Sequence, residues 1–349
     1  MISWVDNCNV GYTDGYTYTS DNLWNFLKTS GLPIKRLLPD KAEKITEFNR
    51  FQIGYSRIVP NGQDGVIINH CLPPEFVNYK HYSVGMTYWE TNSLPKYWVE
   101  HCNMMNEIWT TSKAMKEVFI NSGITKPVYN FELGVDPEIY FPKKQLVKNT
   151  FKFLSMGSPS TRKNSQIAVN AFLKVFGNDD NYELIYKSNG PQDARIYRGG
   201  TMYPLEHPRI KIINHEVTNE ELGAIYDSAN CLLYPTSGEG WGLIPFQAIA
   251  KGIPTICTNA LATTEFADMS IPLNFKWGTN NMSGIYQNAG QWAEPDFDDL
   301  CDKMLHVVNS YDRVCNKTYQ GAEYINKNMT WEKVSKKYIA RLEVVLDNV

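Results

Sequence analysis

Short apolar runs alternate along this chain with longer stretches whose apolar positions recur every three or four residues. That is the pattern of buried strands joined by amphipathic helices. In the first part, residues 2–5 read as a strand, 7–14 as a polar, glycine-containing loop, and 20–29 as a helix closed near Gly31. Residues 65–70 and 82–88 are further buried-strand candidates. The stretch 95–105 reads as a helix, 107–111 as a short strand, and 113–121 as a helix closed by Gly123. The alternation restarts at 151–156, a strand, followed by a polar loop over 157–163 and an amphipathic helix over 165–176. Strands are expected again at 182–187, 210–213, 231–234 and 255–257, and a terminal helix at 331–346. Such alternation implies parallel, doubly wound α/β sheets. Pro137, Pro142 and several lysines interrupt it between 136 and 149. The expected division is therefore 1–145 and 146–330, with 331–349 as a terminal helix placed to pack back on the first domain.

A chain of 349 residues is long for one core, which agrees with two domains. Hydrophobic residues make up 43% and charged residues 20%, the range of globular proteins. A net charge of −3 supplies no global pull toward nucleic acid or an anionic membrane. Seven cysteines without a CxxC pair suit reduced thiols in the cytoplasm, and no Cys/His cluster has zinc-ligand spacing. The first residues lack a basic leader, and no run approaches the roughly 20 apolar residues of a membrane span. A cytoplasmic chain without a transmembrane segment or resident metal is expected.

The most informative stretch is 234–255. A strand (231–234) turns through Ser237 and Gly238 into an apolar helical run, and Gly238, Gly240 and Gly242 surround one carboxylate, Glu239. Glycines let backbone N–H groups approach a ligand closely, and a helix N-terminus favours negative charge. Open α/β sheets bind ligands at such strand-to-helix junctions.

The segment from Ser237 to Pro254 resembles the signature of the retaining glycosyltransferases of family 4, whose fold is GT-B. Their usual pattern is Glu-Gly-aromatic-Gly-Leu-Pro, with a second glutamate eight residues after the first. Asn106-Glu-Ile-Trp-Thr-Thr-Ser112, Gly134-Val-Asp136, Phe141-Pro142, Phe153-Leu-Ser-Met-Gly157, Arg162-Lys163-Asn164, the stretch 221–230 and Trp292-Ala-Glu-Pro-Asp296 follow in the family's order. The resemblance covers most of residues 85–345 and implies two Rossmann-like domains facing a central cleft. It also implies transfer of a sugar from a nucleotide sugar, a UDP-sugar above all, with no separate cofactor.

By the same resemblance, Glu239 contacts the donor sugar, and the amides of Gly240, Trp241, Gly242 and Leu243 lie near the diphosphate. Lys163 matches the phosphate-binding lysine. Ser158 stands where the family commonly has arginine, a charge that Arg162 is placed to supply, and Lys187 at a strand end is a further donor-site candidate. Gln247 replaces the second glutamate, which binds the nucleotide ribose. An amide accepts from one hydroxyl but lacks a charge-assisted second bond. Either ribose binding is weaker, or the nucleotide is held differently, or the change has little consequence. His70, at a strand end, matches histidines near the reacting sugar, although a lone histidine there is as often structural. Glu90 is a candidate for orienting the acceptor. Gly11 and Gly15 form a weak phosphate or acceptor loop, with an ordinary turn the alternative.

Between residues 28 and 57, Lys28, Lys35, Arg36, Lys41, Lys44, Arg50 and Arg57 outnumber Asp40, Glu43 and Glu47. A solvated face explains such a segment, and so does contact with a phospholipid surface or a DNA backbone. The family resemblance implies a metal-independent, retaining transferase using front-face attack, with a glycan, lipid-linked or nucleic-acid acceptor. Two alternatives stand beside it. One is a phage-type DNA glycosyltransferase acting on hydroxymethylated pyrimidines, and the other a non-catalytic nucleotide-sugar or glycan-binding protein. A dehydrogenase is disfavoured, because no GxGxxG follows a strand.

Overall fold

The structure is a computed structural model that describes residues 1–6, 15–38, 65–78, 81–144, 149–158, 160–188, 195–198, 201–204, 206–279 and 284–349. Contacts divide it into two compact units. One comprises Met1–Trp89, Ser93–Gly134 and Trp331–Val349, and the other Glu90–Asn92 and Val135–Thr330.

The first unit contains β1 (Ile2–Asp6), α1 (Gly15–Leu27), β2 (Ile34–Leu37), β3 (Val66–His70), β4 (Tyr82–Met86), α2 (Lys96–Cys102), β5 (Glu107–Thr110), α3 (Lys113–Asn121) and β6 (Val128–Asn130). Its six strands are all parallel, in the order β2-β1-β3-β4-β5-β6. The chain leaves β1 to one side for β2 and returns to the other side for β3, so the strand order reverses between β1 and β3. The register pairs Asp6 with His70 at the carboxyl ends of those strands.

In the second unit, β7 (Phe151–Met156), α4 (Ser165–Phe176) and β8 (Tyr182–Lys187) precede the antiparallel hairpin of β9 (Arg195–Arg198) and β10 (Thr201–Pro204). β11 (Ile210–Ile213), α5 (Asn219–Asp227), β12 (Cys231–Tyr234), α6 (Leu243–Ala250), β13 (Thr255–Thr258) and β14 (Ile271–Leu273) follow. A second hairpin, β15 (Phe275–Thr279) and β16 (Gln291–Pro295), leads into α7 (Phe297–Asn309) and α8 (Tyr311–Asn328). The main sheet is parallel, ordered β11-β8-β7-β12-β13-β14. Phe153, Leu184, Leu233 and Ile256 from its strands pack with Phe172 and Phe176 of α4 and Leu300 and Met304 of α7. Each such side chain contributes roughly 1.5–3 kcal/mol by leaving water. Caps set the helix starts. Thr218 and Glu221 form a reciprocal capping box on α5, and Asp296 accepts from the amides of Asp298 and Asp299 on α7.

The last helix, α9 (Trp331–Leu346), returns to the first unit. Trp331 meets Tyr18 of α1 edge-on, with ring centroids 5.9 Å apart, and Val334, Tyr338, Leu342 and Val345 are buried. Arg341 pairs with the fully buried Glu107 of β5 and lies 4.1 Å over the Tyr129 ring.

Two doubly wound parallel sheets are thus present, as the alternation predicted. The strands 151–156, 182–187, 210–213 and 231–234, and the helices 113–121, 165–176 and 331–346, have the predicted bounds. Helix α1 begins at Gly15 rather than residue 20, because the polar Thr19 and Ser20 face inward, and Ser20 donates to Asp6. A polar pair on the buried face hides the helical period. β2, an edge strand reading Ile-Lys-Arg-Leu, and the short β6 and β14 carry too few consecutive apolar residues to stand out. Six of the seven cysteines lie among the described residues, all buried.

Candidate active site

In the second unit the chain runs outward from β7 through β8 to β11, then crosses back to β12 on the other side of β7. The loops leaving β7 and β12 therefore diverge and open a crevice at the carboxyl ends of adjacent strands, where ligands bind in open α/β sheets. The β7 loop carries Arg162 and Lys163, and the β12 loop carries 236–242. Backbone and side-chain bonds stitch the loops together. The Ser237 amide donates to the Arg162 carbonyl at 2.7 Å, and Asn164 Nδ2 donates to Ser237 Oγ at 2.7 Å. Gly238 lies so close to the Glu90 carbonyl that a Cβ there would sit 2.0 Å from the oxygen. Gly242 caps α6 with a φ of 93°, in the left-handed region that disfavours side chains.

Four charged groups converge at this crevice. Glu239 Oε1 accepts from Lys163 Nζ at 2.6 Å, Arg162 Nη1 at 3.2 Å, the Tyr234 hydroxyl at 2.9 Å and Thr236 Oγ1 at 2.9 Å. Among the described residues no donor reaches its Oε2. Arg162 Nη1 also donates to the Gly238 carbonyl at 2.7 Å, and its Nη2 lies 3.8 Å from Glu90 Oε1. Glu90 Oε2 accepts from the Tyr286 hydroxyl at 2.9 Å. Burial alone would raise the Glu239 carboxyl, but Lys163 and Arg162, with hydrogen bonds from Lys163 and Thr236, outweigh it and hold the group at about 2. Arg162 is pushed upward, since Glu90 and Glu239 overcome the effect of its burial. Burial lowers Lys163 despite its carboxylate partner, with Arg162 adding to the effect. Glu239 is therefore a fixed anion and a weak base, facing two cations.

The remaining donor-site candidates fall around this cluster. Lys187 is buried at the end of β8, its Nζ 2.6 Å from the Ser188 carbonyl and 2.9 Å from that of His215. Gly240, Trp241 and Gly242 form the turn into α6, and Leu243 is its first residue. The Trp241 ring packs on Phe246 and Phe266, which anchors the turn. Gln247 is buried inside α6, its Oε1 3.3 Å from the Tyr226 hydroxyl, which lies 3.0 Å from the Ile244 carbonyl. A neutral amide is carried there at lower cost than a carboxylate. Glu90 packs with the second unit through Arg162 and Tyr286. Thr91 and Asn92 beside it bond to Ala289 and Gln291.

His70 lies in the first unit, fully buried at the point of strand-order reversal. Its Nδ1 is 3.7 Å from Asp6 Oδ1 and its Nε2 is 3.0 Å from the Tyr88 hydroxyl. Asp6 Oδ2 is itself held by Arg36 and Ser20. Arg36, one of the basic residues of 28–57, is thus committed to Asp6, and to Asp21 at 2.7 Å. Gly15 is the first residue of α1, whereas Gly11, Lys41, Lys44, Arg50 and Arg57 lie outside the described residues. Sequence reasoning did not single out Tyr234, Thr236, Tyr286 or Asp6. Asp6 had a signal, as a carboxylate closing a buried strand. Tyr286 had none, because the fold alone carries it to Glu90.

The family described as "Family 4 Glycosyltransferase in conflict systems" matches residues 111–337. Among curated proteins, the O-antigen chain mannosyltransferase RfbU of Salmonella typhimurium (strain LT2) is 26% identical over 166 residues. That alignment covers 46% of this chain and 43% of the relative, less than half the length of either. Among solved structures, a sucrose-phosphate synthase from Thermosynechococcus elongatus has a TM-score of 0.70 at 11% identity, covering 100% of this chain and 99% of that one. A glycosyltransferase from Rickettsia africae ESF-5 has a TM-score of 0.68 at 11% identity, with coverage of 100% and 99%. These likenesses establish the fold as GT-B. Because the family match spans well over half its residues, the chain belongs to the family 4 glycosyltransferases of conflict systems.

Proposed function

We propose that this protein moves a sugar from a nucleoside-diphosphate donor to an acceptor hydroxyl, with retention at the anomeric carbon and without a metal ion. The observation that carries the reading is the convergence of Glu239, Lys163 and Arg162 where the strand order reverses. Arg162, a fixed positive charge, and the Lys163 amine lie where the diphosphate would develop negative charge, the electrostatic task a cation would otherwise perform. Glu239 Oε2 is available to accept from sugar hydroxyls. The N-terminus of α6 adds its positive dipole end.

In the proposed reaction the bond between the anomeric carbon and the phosphate oxygen breaks as the acceptor oxygen bonds to that carbon from the same face. The acceptor proton passes to the departing phosphate oxygen. Glu239 is a poor candidate for this proton, since a carboxyl held at about 2 is a weak base at neutral pH. Uridine is the expected nucleoside of the donor, a UDP-sugar. The Salmonella relative is an O-antigen chain mannosyltransferase, which favours a glycan or lipid-linked glycan as acceptor. Among the described residues no helix is long and apolar enough to cross a membrane, and a cytoplasmic place belongs to the same proposal.

A thermal-shift screen against UDP, GDP, ADP and their sugars tests the donor. Sugar transfer or donor hydrolysis is expected, and is expected to disappear in Glu239→Ala and Lys163→Ala variants that fold normally. Activity that survives both substitutions overturns the assignment. Binding of nucleotide sugars without turnover identifies a non-catalytic binding protein instead.

A further inference from the structure

The cation cluster of the second unit carries its own counter-ions. Arg162 and Lys163 face Glu239 and Glu90, so two positive charges meet two negative ones. A neutral cluster has little net attraction for a diphosphate. The pairing is also uneven. Four donors crowd Oε1 of Glu239, while among the described residues none reaches Oε2. A carboxylate oxygen offers roughly two lone-pair sites. Part of that donor set already turns to other acceptors, Arg162 Nη1 to the Gly238 carbonyl and Lys163 Nζ to the Tyr234 hydroxyl, so neither cation depends on Glu239 alone. Glu90 holds the opposite edge of the Arg162 guanidinium, and Tyr286 fixes the Glu90 carboxylate.

We propose that Glu239 and Glu90 are specificity-determining residues, acting as internal counter-ions that make the site select a sugar-bearing diphosphate over a bare one. The inference rests on the donor reading above. A bare diphosphate competes with both carboxylates for Lys163 and Arg162. If it wins, Glu239 is left as a buried carboxylate deprived of its cations, a costly state. A donor sugar compensates, because its hydroxyls donate to Glu239 while the phosphates take the cations. Glu90 stays on Arg162 throughout and limits the charge that the guanidinium can offer an anion.

Calorimetric titration with inorganic pyrophosphate, in buffer free of divalent metal, tests this. Wild-type protein should bind it weakly. Glu239→Gln should bind it roughly tenfold tighter or more, because one opposing charge a few ångströms from the anion is removed. Glu90→Gln should also bind it more tightly, by a smaller factor. Lys163→Met added to Glu239→Gln should abolish the gain, which ties it to this cluster rather than to surface charge. Glu239→Gln should in the same measurements lose its preference for the nucleotide sugar over the nucleoside diphosphate. Pyrophosphate affinity that is unchanged or weaker in both single variants overturns the counter-ion role and marks Glu239 as a positioner of the cations. The donor reading then still stands on nucleotide-sugar binding by wild type. Should Glu239→Gln fail to fold, the more exposed Glu90→Gln decides the question. If no UDP, GDP or ADP sugar binds wild type, the donor reading and this inference fall together.

Discussion

At Gly238 the backbone runs against the Glu90 carbonyl with no room for a methyl group, and this contact fixes where Glu239 begins. Gly238→Ala should therefore destabilise the protein by about 1–3 kcal/mol or more, because the obstacle is backbone and cannot swing away. A drop in the midpoint of denaturant unfolding checks this; an unchanged midpoint would show that the two loops move freely. Glu239 itself makes a pH prediction. Its folded value of about 2 lies below its ordinary value of 4.5, so it contributes stability that is complete above 4.5 and lost as pH falls toward 2. The contribution is on the order of 3 kcal/mol. Acid unfolding should flatten across that window in Glu239→Gln relative to wild type. Glu239, Lys163 and Arg162 were legible as residues because glycines and a strand-to-helix turn surround them in sequence. Their mutual pairing was not, since 76 residues separate Lys163 from its carboxylate.

Among the elements, α9 shows how a helix readable from its period depends on a partner that is not. Residues 331–346 carry an apolar stripe, Trp331, Val334, Tyr338, Leu342 and Val345, that any reading of helical spacing detects. Where the stripe docks is decided by Glu107, fully buried on β5. It accepts from Trp109 Nε1 at 2.7 Å and from the Tyr82 hydroxyl at 3.0 Å, and it pairs with Arg341. Burial, with Glu107 next, pushes the Tyr82 hydroxyl up to about 12. Arg341→Ala strands a buried carboxylate and should cost about 3–5 kcal/mol. Replacing the pair together, as Glu107→Gln with Arg341→Met, should cost much less. Chemical denaturation of the single and double variants measures both, and equal losses would show that the pair does not couple. The same reasoning explains why β2 and β6 escaped notice. An edge strand of three or four half-buried residues has no apolar run of its own, and the neighbouring strand defines it.

Across the molecule, each unit places its polar cluster where its own strand order reverses: Asp6 and His70 between β1 and β3, Glu239 with Lys163 and Arg162 between β7 and β12. If the second cluster takes the donor, ligand at a hundred times its dissociation constant should stabilise the protein by about 2.7 kcal/mol. Amide exchange should slow at 157–163 and 234–243 while the sheet of the first unit is little changed; uniform protection, or none at these loops, would contradict the placement. Sequence alone determined the α/β class, the strands β7, β8, β11, β12 and β13 with helix α4, and the family, because local apolar periodicity and a glycine-bounded carboxylate are written in consecutive residues. The tertiary structure decided which charges meet. It gave the cations of one loop to a carboxylate of another, brought Tyr286 to Glu90, and committed Arg36 to Asp6. Those pairings depend on strand order and burial, which act between residues far apart in the chain, and no local pattern encodes them.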